Sequence, residues 1–399
     1  MRQSFLTDFN DNFMIYDTII VGAGFAGAVL AERLASQNNQ RVLIIEKRRH
    51  TGGNCYDCYD EHGVLIHRYG PHLFHTSNRD VFQYLSQFTD WHHYEHSVLA
   101  YIDGQKVPVP FNLNTLAALF PTRLVQSLEA KLIDRYGYGA KVPILTLREQ
   151  DDPELKFLAD FIYDKMFVNY TAKQWGCKPE EISPEVTARV PVHISRDNRY
   201  FQDSYQALPK QGYSRLFDNM LAHPNISVLL NTDYKDVLAI DVDQQTISAF
   251  GTPFKGQLIY TGLVDELFGY RFGELPYRSL QFQFEHFNED FFQDATTVNY
   301  PNNHDFTRIT EFKRASGQKV QGTTTLKEFP QNYDPRDSAK NIPYYPIFTD
   351  QNAALFQQYQ ELSTSFSALT LVGRLAEYRY YDMDDIVERA LQVFADKFA

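Results

Sequence analysis

Cysteine is scarce in this chain, with three residues of this type among 399: Cys55, Cys58 and Cys177. So few cysteines do not form a disulfide framework, and no second Cys pair exists to complete a four-cysteine zinc site. A redox dithiol at Cys55 and Cys58 stays an open alternative. Such pairs normally begin a helix, however, whereas the tyrosine and aspartate residues around Cys58 predict a turn.

Basic charge and long apolar runs are also missing. The chain has 38 Lys and Arg against 50 Asp and Glu, a net charge of −12. A general nucleic-acid or anionic-membrane surface needs a basic face, so any anionic ligand must be bound by a few local arginines. No apolar run approaches a membrane span, and the first residues lack the basic-then-apolar order of a signal peptide. We therefore expect a cytoplasmic protein with no nucleic-acid partner and no membrane insertion.

The most informative segment is a glycine-rich turn that follows an apolar run. Residues 17–21 (DTIIV) lead directly into Gly22-x-Gly24-x-x-Gly27 and a stretch with helical spacing. The first two glycines allow a tight turn and a close approach to a pyrophosphate, and the third lets the helix pack on the strand. A lone motif of this kind is weak evidence for a ligand. Here the next predicted strand ends at Glu46, about twenty residues further on, which is the position of the acid that binds the ribose in such sites. The segment predicts a dinucleotide site.

The residues around this motif favour FAD over NAD. Lys47 and Arg48, and then Gly53 and Asn54, extend the loop with cations and backbone amides, as a longer dinucleotide requires. Near the C-terminus a predicted strand ends at Gly373-Arg374, and Asp382 opens the last predicted helix, 386–398. A helix N-terminus can stabilise negative charge on the pyrimidine ring of a flavin.

The fold class predicted from these patterns is α/β, with a Rossmann-like FAD-binding domain, an inserted helical domain and an antiparallel β-sheet domain. Apolar residues at helical spacing fill 115–120, 124–136 and 154–167, and alternation around Asp103-Gly104 predicts a hairpin. Strands at 226–231, 246–250 and 257–260 are expected to return to the nucleotide fold. Strands at 279–285, 296–300, 306–312 and 323–329 are expected to form the antiparallel sheet.

The domains that follow from these elements are discontinuous. We expect the FAD-binding domain at 14–88, 204–272 and 346–399. The helical domain, with a mobile substrate loop, is expected at 112–188, and the antiparallel sheet domain at 89–111, 189–203 and 273–345.

Seven further motifs occur in order along the chain: YGPHLFHT (69–76), YTAKQWG (170–176), RVPV (189–192), IYTG (259–262), TRITE (307–311), YYPI (344–347) and GRL to YRYYDMD (373–384). Together with the glycine motif they resemble the prokaryotic UDP-galactopyranose mutases over nearly the whole chain. The resemblance implies interconversion of UDP-galactopyranose and UDP-galactofuranose, with N5 of the reduced flavin as nucleophile at the anomeric carbon and no net redox change. It also implies FAD that is active when reduced, a reductant such as NAD(P)H or a reductase, and a homodimer.

The same resemblance assigns site residues. Arg189 and Arg308 stand at the positions of the two diphosphate-binding arginines, and His75 joins them as a catalytic residue. The expected substrate-binding residues are Phe167, Tyr170, Thr171, Trp175, Tyr200, Asn299, Tyr345, Tyr380 and His96. The expected cofactor-binding residues are Gly22, Gly24, Phe25, Ala26, Gly27, Glu46, Lys47, Arg48, Gly53, Asn54, His72, Leu73, Gly373, Arg374, Tyr381, Asp382 and Met383. No metal site is expected.

Two departures from the family pattern leave the sugar open. Met166 stands where the family has Phe, and His96 stands where it often has Asn, so an N-acetylhexosamine is an alternative to galactose. A second alternative is a FAD-dependent amine oxidase or desaturase-like oxidoreductase on the same architecture. Such an enzyme would need an apolar substrate tunnel and would give no role to two buried arginines.

Overall fold

A five-stranded parallel sheet organises the nucleotide-binding part of the chain. The structure is a computed structural model that describes residues 16–176, 191–337 and 341–399. The strands lie in the order Ile226–Leu229, Val42–Ile45, Thr18–Val21, Gln257–Tyr260 and Leu369–Leu371, and all neighbours are parallel. The two strands on either side of the glycine motif, Thr18–Val21 and Val42–Ile45, are buried at every residue. Such continuous burial is expected of a parallel sheet covered on both faces.

Alternate strand residues contribute to two separate cores. Ile20 and Ile44 pack with the helices Phe25–Asn38 and Met383–Lys397, whereas Ile19 packs on the opposite face. The helix Asp350–Thr364 contributes to that second core through Tyr359, which is fully buried. The strands predicted at 17–21, 41–46, 226–231, 257–260 and 369–374 are confirmed, with the same or shorter bounds. The last helix, predicted at 386–398, is confirmed at Met383–Lys397.

A seven-stranded sheet lies beside this domain. Its order is Tyr345–Pro346, Tyr277–Phe287, Thr323–Asn332, Arg308–Glu311, Thr297–Asn299, Val98–Ile102 and Gln105–Val109. Neighbouring strands are antiparallel except for the pair formed by Thr297–Asn299 and Val98–Ile102, which is parallel. The predicted hairpin turns at Asp103-Gly104, where both residues have positive φ.

A smaller sheet brings the His75 strand near the 199–203 segment. Phe74–Thr76 and Trp91–His93 both pair antiparallel with Tyr205–Pro209. Two further pairs join Asp57–Tyr59 to Leu65–His67 and Lys141–Val142 to Val192–His193. Within the described residues, the remaining helices outside the helical segment are Arg79–Leu85, Tyr213–Met220, Val264–Leu267 and Phe312–Ser316. Short 3-10 turns lie at Gly53–Cys55, Tyr234–Asp236 and Pro335–Asp337.

The helical segment has its own apolar core. Its helices are Leu113–Leu119, Thr122–Tyr136, Ile144–Arg148 and Pro153–Ile162, and their buried side chains form one cluster. The expectation of a single helix over 154–167 is wrong at its end, because a π-helical turn occupies Tyr163–Val168 before the helix Asn169–Trp175. A π turn adds one residue per turn and so changes the direction of the side chains that follow it.

One strand prediction is wrong in its placement. Thr246–Ala249 does not return to the parallel sheet but forms a three-stranded meander with Leu238–Asp241 and Thr252–Pro253. Short turns join antiparallel neighbours, whereas a parallel neighbour needs a long crossover, and these three strands are separated by only a few residues. Among the residues that the structure describes, none of the helices combines the length and the apolar character needed to cross a membrane.

Candidate active site

A cleft of about 250 Å³ opens where the first strand meets the helix Phe25–Asn38. Gly22 has a φ of +102°, and a Cβ there would lie 2.1 Å from Oγ1 of Thr261. A Cβ on Gly53 would lie 2.9 Å from Cα of Gly24. The two glycine segments therefore approach each other as bare backbone, which leaves amide groups to face a ligand.

Glu46 has the position and the free acceptor capacity of a ribose-binding acid. Its carboxylate is buried in the wall of the cleft and accepts hydrogen bonds from the backbone N–H groups of Ala23 and Arg48, each at 2.9 Å. A carboxylate has about four lone-pair sites, so two remain for the hydroxyl groups of a ligand.

Two buried polar atoms in the cleft have no hydrogen-bond partner among the described residues: Nη1 of Arg48 and Oη of Tyr344. The Arg48 guanidinium is already fixed, because Nη2 donates to Oδ1 of Asn54 at 2.9 Å and its centre lies 4.3 Å from the Tyr69 ring. Unpaired buried polar atoms are costly, so a cleft that contains them is complementary to a polar ligand. Together with the glycine turn and Glu46, these groups fit an anionic dinucleotide such as FAD.

All the expected cofactor-binding residues except Gly27 and Leu73 line this cleft. Gly27 instead packs the helix on the strand, since a Cβ there would lie 2.0 Å from the carbonyl oxygen of Gly22. Leu73 lines the neighbouring cavity. Asp382 directly precedes the helix Met383–Lys397, so the start of this helix faces the cleft as expected.

The two described cysteines are poor candidates for redox chemistry. Both are free thiols, and Cys55 is buried beneath the cleft. Burial raises the pKa of Cys55 to about 12 and raises that of Cys58 as well. Because the thiolate is the reactive form, this environment opposes the dithiol alternative.

A second cavity, of about 480 Å³, adjoins the cleft. Five residues line both: His72, Tyr344, Arg374, Asp382 and Met383. At this junction Arg374 donates to the backbone carbonyl of Tyr381, and its guanidinium lies 4.8 Å from the centre of the Tyr380 ring. A ligand in the second cavity would therefore lie next to a cofactor in the cleft.

Arg308 is the principal cation of the second cavity. It begins the strand Arg308–Glu311, and its Nε donates at 2.6 Å to Oε1 of Glu328, the residue opposite it on the neighbouring strand. Burial by itself would lower the pKa of Arg308, but the Glu328 carboxylate raises it above its ordinary value. Glu328 is fully buried, and its Oε2 has no partner within the described part of the chain. The sequence did not indicate Glu328, which stands among threonines and a lysine without any motif.

Tyrosine rings form another wall of this cavity. Tyr345 and Tyr380 stack in parallel with ring centres 5.9 Å apart, and Tyr170 and Tyr200 also line the space. Burial raises the pKa of Tyr345 to about 12. A phenol with such a pKa stays protonated at neutral pH and can donate a hydrogen bond to a phosphate oxygen.

Four histidines line the second cavity. Burial lowers the pKa of His193 to about 4, and the other three lie in different environments. Burial lowers the pKa of both His72 and His96 to about 3, so these two rings are neutral. Nδ1 of His75 instead donates to Oδ2 of Asp203 at 3.1 Å. Burial alone would lower the pKa of His75, but the hydrogen bond to Asp203 and the charge of Asp382 raise it. His75 is therefore the one of these three that is held toward the charged form.

The structure brings most of the predicted catalytic and substrate-binding residues together. Those that line the second cavity are Arg308, His75, Tyr170, Tyr200, Asn299, Tyr345, Tyr380 and His96. Phe167 and Thr171 do not line it: Phe167 lies in the π turn and packs on the helical core, and Thr171 is buried. Arg189 lies outside the described residues, as does the side chain of Trp175. Asp203 and Gln174 line the cavity without having been predicted.

The helix Asn169–Trp175, which carries Tyr170, is fastened to the large sheet by two cations. Nζ of Lys173 donates to three backbone carbonyls of the loop 300–306, at 2.5, 3.1 and 3.3 Å. Arg278 donates to the backbone carbonyls of Gln174 and Lys173, at 3.1 and 3.0 Å. This helix therefore closes one side of the cavity.

Comparisons with protein-family models and with curated proteins agree on one family of enzymes. A family model for UDP-galactopyranose mutase matches residues 165–380, more than half of the chain, and a model for an NAD(P)-binding Rossmann-like domain matches residues 20–88. The dTDP-fucopyranose mutase of Escherichia coli is 34% identical over 94% of this chain and 96% of its own length. The UDP-galactopyranose mutase of Mycoplasma pneumoniae is 34% identical over 95% of this chain and 96% of its own.

Solved structures share the fold. A crystal structure of reduced UDP-galactopyranose mutase superposes with a TM-score of 0.70 at 17% identity, over 96% of this chain and 94% of that one. The structure of cyclohexylamine oxidase from Brevibacterium oxydans superposes with a TM-score of 0.56 at 13% identity, over 96% of this chain and 99% of that one. At these identities the likeness concerns architecture alone, so it does not support an amine oxidase activity.

Proposed function

The chain belongs to the UDP-galactopyranose mutase family, and from this premise we propose that it is a FAD-dependent isomerase that interconverts UDP-galactopyranose and UDP-galactofuranose with no net redox change. The observation that carries the proposal is the placement of Arg308 and the paired tyrosines in a cavity that adjoins the dinucleotide cleft. An anionic nucleotide sugar bound there would have its sugar next to the cofactor.

The residues of the cleft would hold FAD. Glu46 would accept hydrogen bonds from the ribose hydroxyls, and the glycine turns and Arg48 would face the pyrophosphate. Reduced FAD, when bound, supplies the nucleophile for the anomeric carbon. Arg374, which lines both the cleft and the second cavity, would place a fixed cation between the cofactor and the nucleotide sugar.

The protein must bind the diphosphate and keep it nearby after it leaves the sugar. Arginine suits this task because its planar guanidinium makes paired contacts with phosphate oxygens and stays charged. Arg308 is already oriented by Glu328, and Tyr345 and Tyr380 can add neutral donors. By the family resemblance Arg189 supplies the second guanidinium.

A dTDP-sugar is the second candidate substrate, because the E. coli dTDP-fucopyranose mutase is as similar to this chain as the UDP-galactopyranose mutase of M. pneumoniae. His96 stands in the cavity wall where the family often has Asn. The two candidates share the reaction and differ in the methyl group of the base, in the 2′-hydroxyl of the ribose and in the sugar hydroxyl at C6.

The test is a parallel assay with reduced protein and three substrates: UDP-galactopyranose, UDP-N-acetylgalactosamine and dTDP-fucopyranose. Products are separated by anion-exchange chromatography and compared by kcat/KM. We expect the highest value for UDP-galactopyranose. A higher value for dTDP-fucopyranose would transfer the assignment to that sugar, and no new nucleotide sugar from any of them would refute the mutase activity.

By the same resemblance we propose a cytoplasmic homodimer that receives electrons from NAD(P)H or from a reductase. Light scattering and anaerobic flavin reduction test these two properties separately.

A further inference from the structure

We propose that Asp203 is a positioning residue that orients His75 and keeps it as the proton carrier of the second cavity. This inference rests on the mutase function proposed above. It concerns a carboxylate that lies outside every motif by which the family was recognised.

The geometry fixes the imidazole on two sides. Nδ1 of His75 donates to Oδ2 of Asp203 at 3.1 Å, and the other oxygen of Asp203 accepts from Oγ of Ser77 at 3.0 Å. The ring of Phe201 stacks on His75 with centres 3.6 Å apart and planes inclined by 18°. Because Nδ1 is used by Asp203, Nε2 is the nitrogen available to a ligand.

The fold explains why these residues meet although 128 positions separate His75 from Asp203. His75 lies on the strand Phe74–Thr76, which pairs antiparallel with the strand Tyr205–Pro209. Asp203 lies two residues before the start of that partner strand. Both residues line the second cavity.

The surrounding charges favour a protonated His75. Asp203, Asp382 and Asp384 raise its pKa against the opposing effect of burial, and the hydrogen bond to His75 holds the pKa of Asp203 below its ordinary range. His96 is another titratable group of the same cavity. Burial lowers its pKa, and the charges of Arg308 and His75 lower it further, so His96 stays neutral. A raised pKa means that His75 keeps its proton to higher pH and loses it as the pH rises through that value.

The reaction requires a proton carrier of this kind. Conversion of a pyranose to a furanose breaks the bond between C1 and O5 and forms one between C1 and O4. A proton must leave the 4-hydroxyl and a proton must reach O5, so the total does not change. The His75 imidazolium can give its Nε2 proton to O5 and take one back from the 4-hydroxyl, while Asp203 stays ionised and fixes the tautomer.

The test compares Asp203→Asn with Asp203→Glu in the FAD-bound protein, with Asp243→Asn as a control. Asp243 is an exposed aspartate that pairs with Arg271 outside the site. The titration of His75 is followed by NMR with histidine-selective labelling and is identified by its loss in His75→Gln. The pH dependence of kcat/KM is measured on the same variants.

In Asp203→Asn we expect the His75 titration and the high-pH limb of kcat/KM to move together to lower pH, by about one unit or more. We expect kcat to fall at least about tenfold while KM changes less. Asp203→Glu should restore the titration and part of the rate, and Asp243→Asn should change neither.

An unchanged His75 titration and pH profile in Asp203→Asn would overturn the inference. If the wild type shows no mutase activity, the proposed function fails, whereas the NMR titration still tests the pair. If Asp203→Asn does not fold by circular dichroism, Asp203→Ser removes the same charge with a smaller side chain, and the same two shifts are expected.

Discussion

At the scale of single residues, the charges of the site are set by neighbouring carboxylates. Arg308 is paired with the fully buried Glu328, and His75 with Asp203. A charged residue inside a protein needs such a partner, because removing its hydration is costly. The partners are therefore as much a part of the site as the groups that face the ligand.

Replacing Arg308 tests the diphosphate contact. Arg308→Ala should keep FAD and the fold but lose about tenfold to more than a hundredfold in kcat/KM, since a charge-assisted contact contributes about 1.5–3 kcal/mol. Arg308→Lys should restore only part of the rate, because an ammonium group cannot make paired contacts. Steady-state kinetics with a flavin spectrum for each variant measures both effects.

Arg314 offers a matched control. Like Arg308 it is 27% exposed and pairs with a fully buried glutamate, here Glu311, but it does not line the cavity. Arg314→Ala should lower stability and leave kcat/KM within about twofold. Full activity in Arg308→Ala would remove that arginine from the site.

Glu46 tests the cofactor assignment. The wild type should be yellow with bound FAD, and Glu46→Ala should lose most of it, because the change removes the ribose acceptor and two hydrogen bonds to backbone N–H groups. The ratio of flavin to protein absorbance after gel filtration measures the loss. Glu361→Ala, at an exposed helix position, serves as the control. A wild type that takes up no FAD would contradict the assignment.

Local motifs predicted Glu46 and Arg308. The carboxylates that pair with Arg308 and His75 were not predicted. Glu328 is 20 positions from Arg308, and Asp203 is 128 positions from His75. Neither carboxylate has a spacing pattern of its own, because its role appears only when sheet pairing brings the two segments together. Arg189 stays a prediction.

At the scale of elements, the helix Asn169–Trp175 forms one wall of the second cavity through Tyr170 and Gln174. It follows the π turn Tyr163–Val168, and turns of this type often occur at functional sites. The sequence predicted helical structure through this region but not the π turn, because the spacing of apolar residues does not reveal one extra residue within a helical turn. Phe167 lies within this turn and packs on the helical core.

Lys173 tests whether this helix is held closed. Lys173→Met should raise KM by about tenfold with a smaller change in kcat, because one charge-assisted hydrogen bond of about 1.5 kcal/mol corresponds to that factor. Hydrogen exchange in 163–175 should become faster. Lys165→Met, which removes only an exposed pair with Asp103, should leave KM within about twofold. Unchanged exchange and KM in Lys173→Met would show that this contact does not hold the helix.

At the scale of the whole molecule, the function depends on two adjoining cavities. The residues that line both come from segments as far apart as His72 and Met383. The parallel sheet could be predicted because its strands are short buried runs with a glycine motif. The prediction for the strand at 246–250 is wrong in its placement, because a strand pattern does not specify which sheet the strand joins. The domain boundaries stay a prediction.

The central claim is that the reduced cofactor acts as a nucleophile and returns unchanged. The most direct measurement is anaerobic turnover of UDP-galactopyranose with dithionite or an enzymatic reductant in an amount far below that of the substrate. Nucleotide-sugar product is counted by chromatography against electrons consumed. We predict many products for each electron pair and no reaction with the oxidised protein. One product for each equivalent of reductant would contradict the account, because the reaction would then be an ordinary redox conversion.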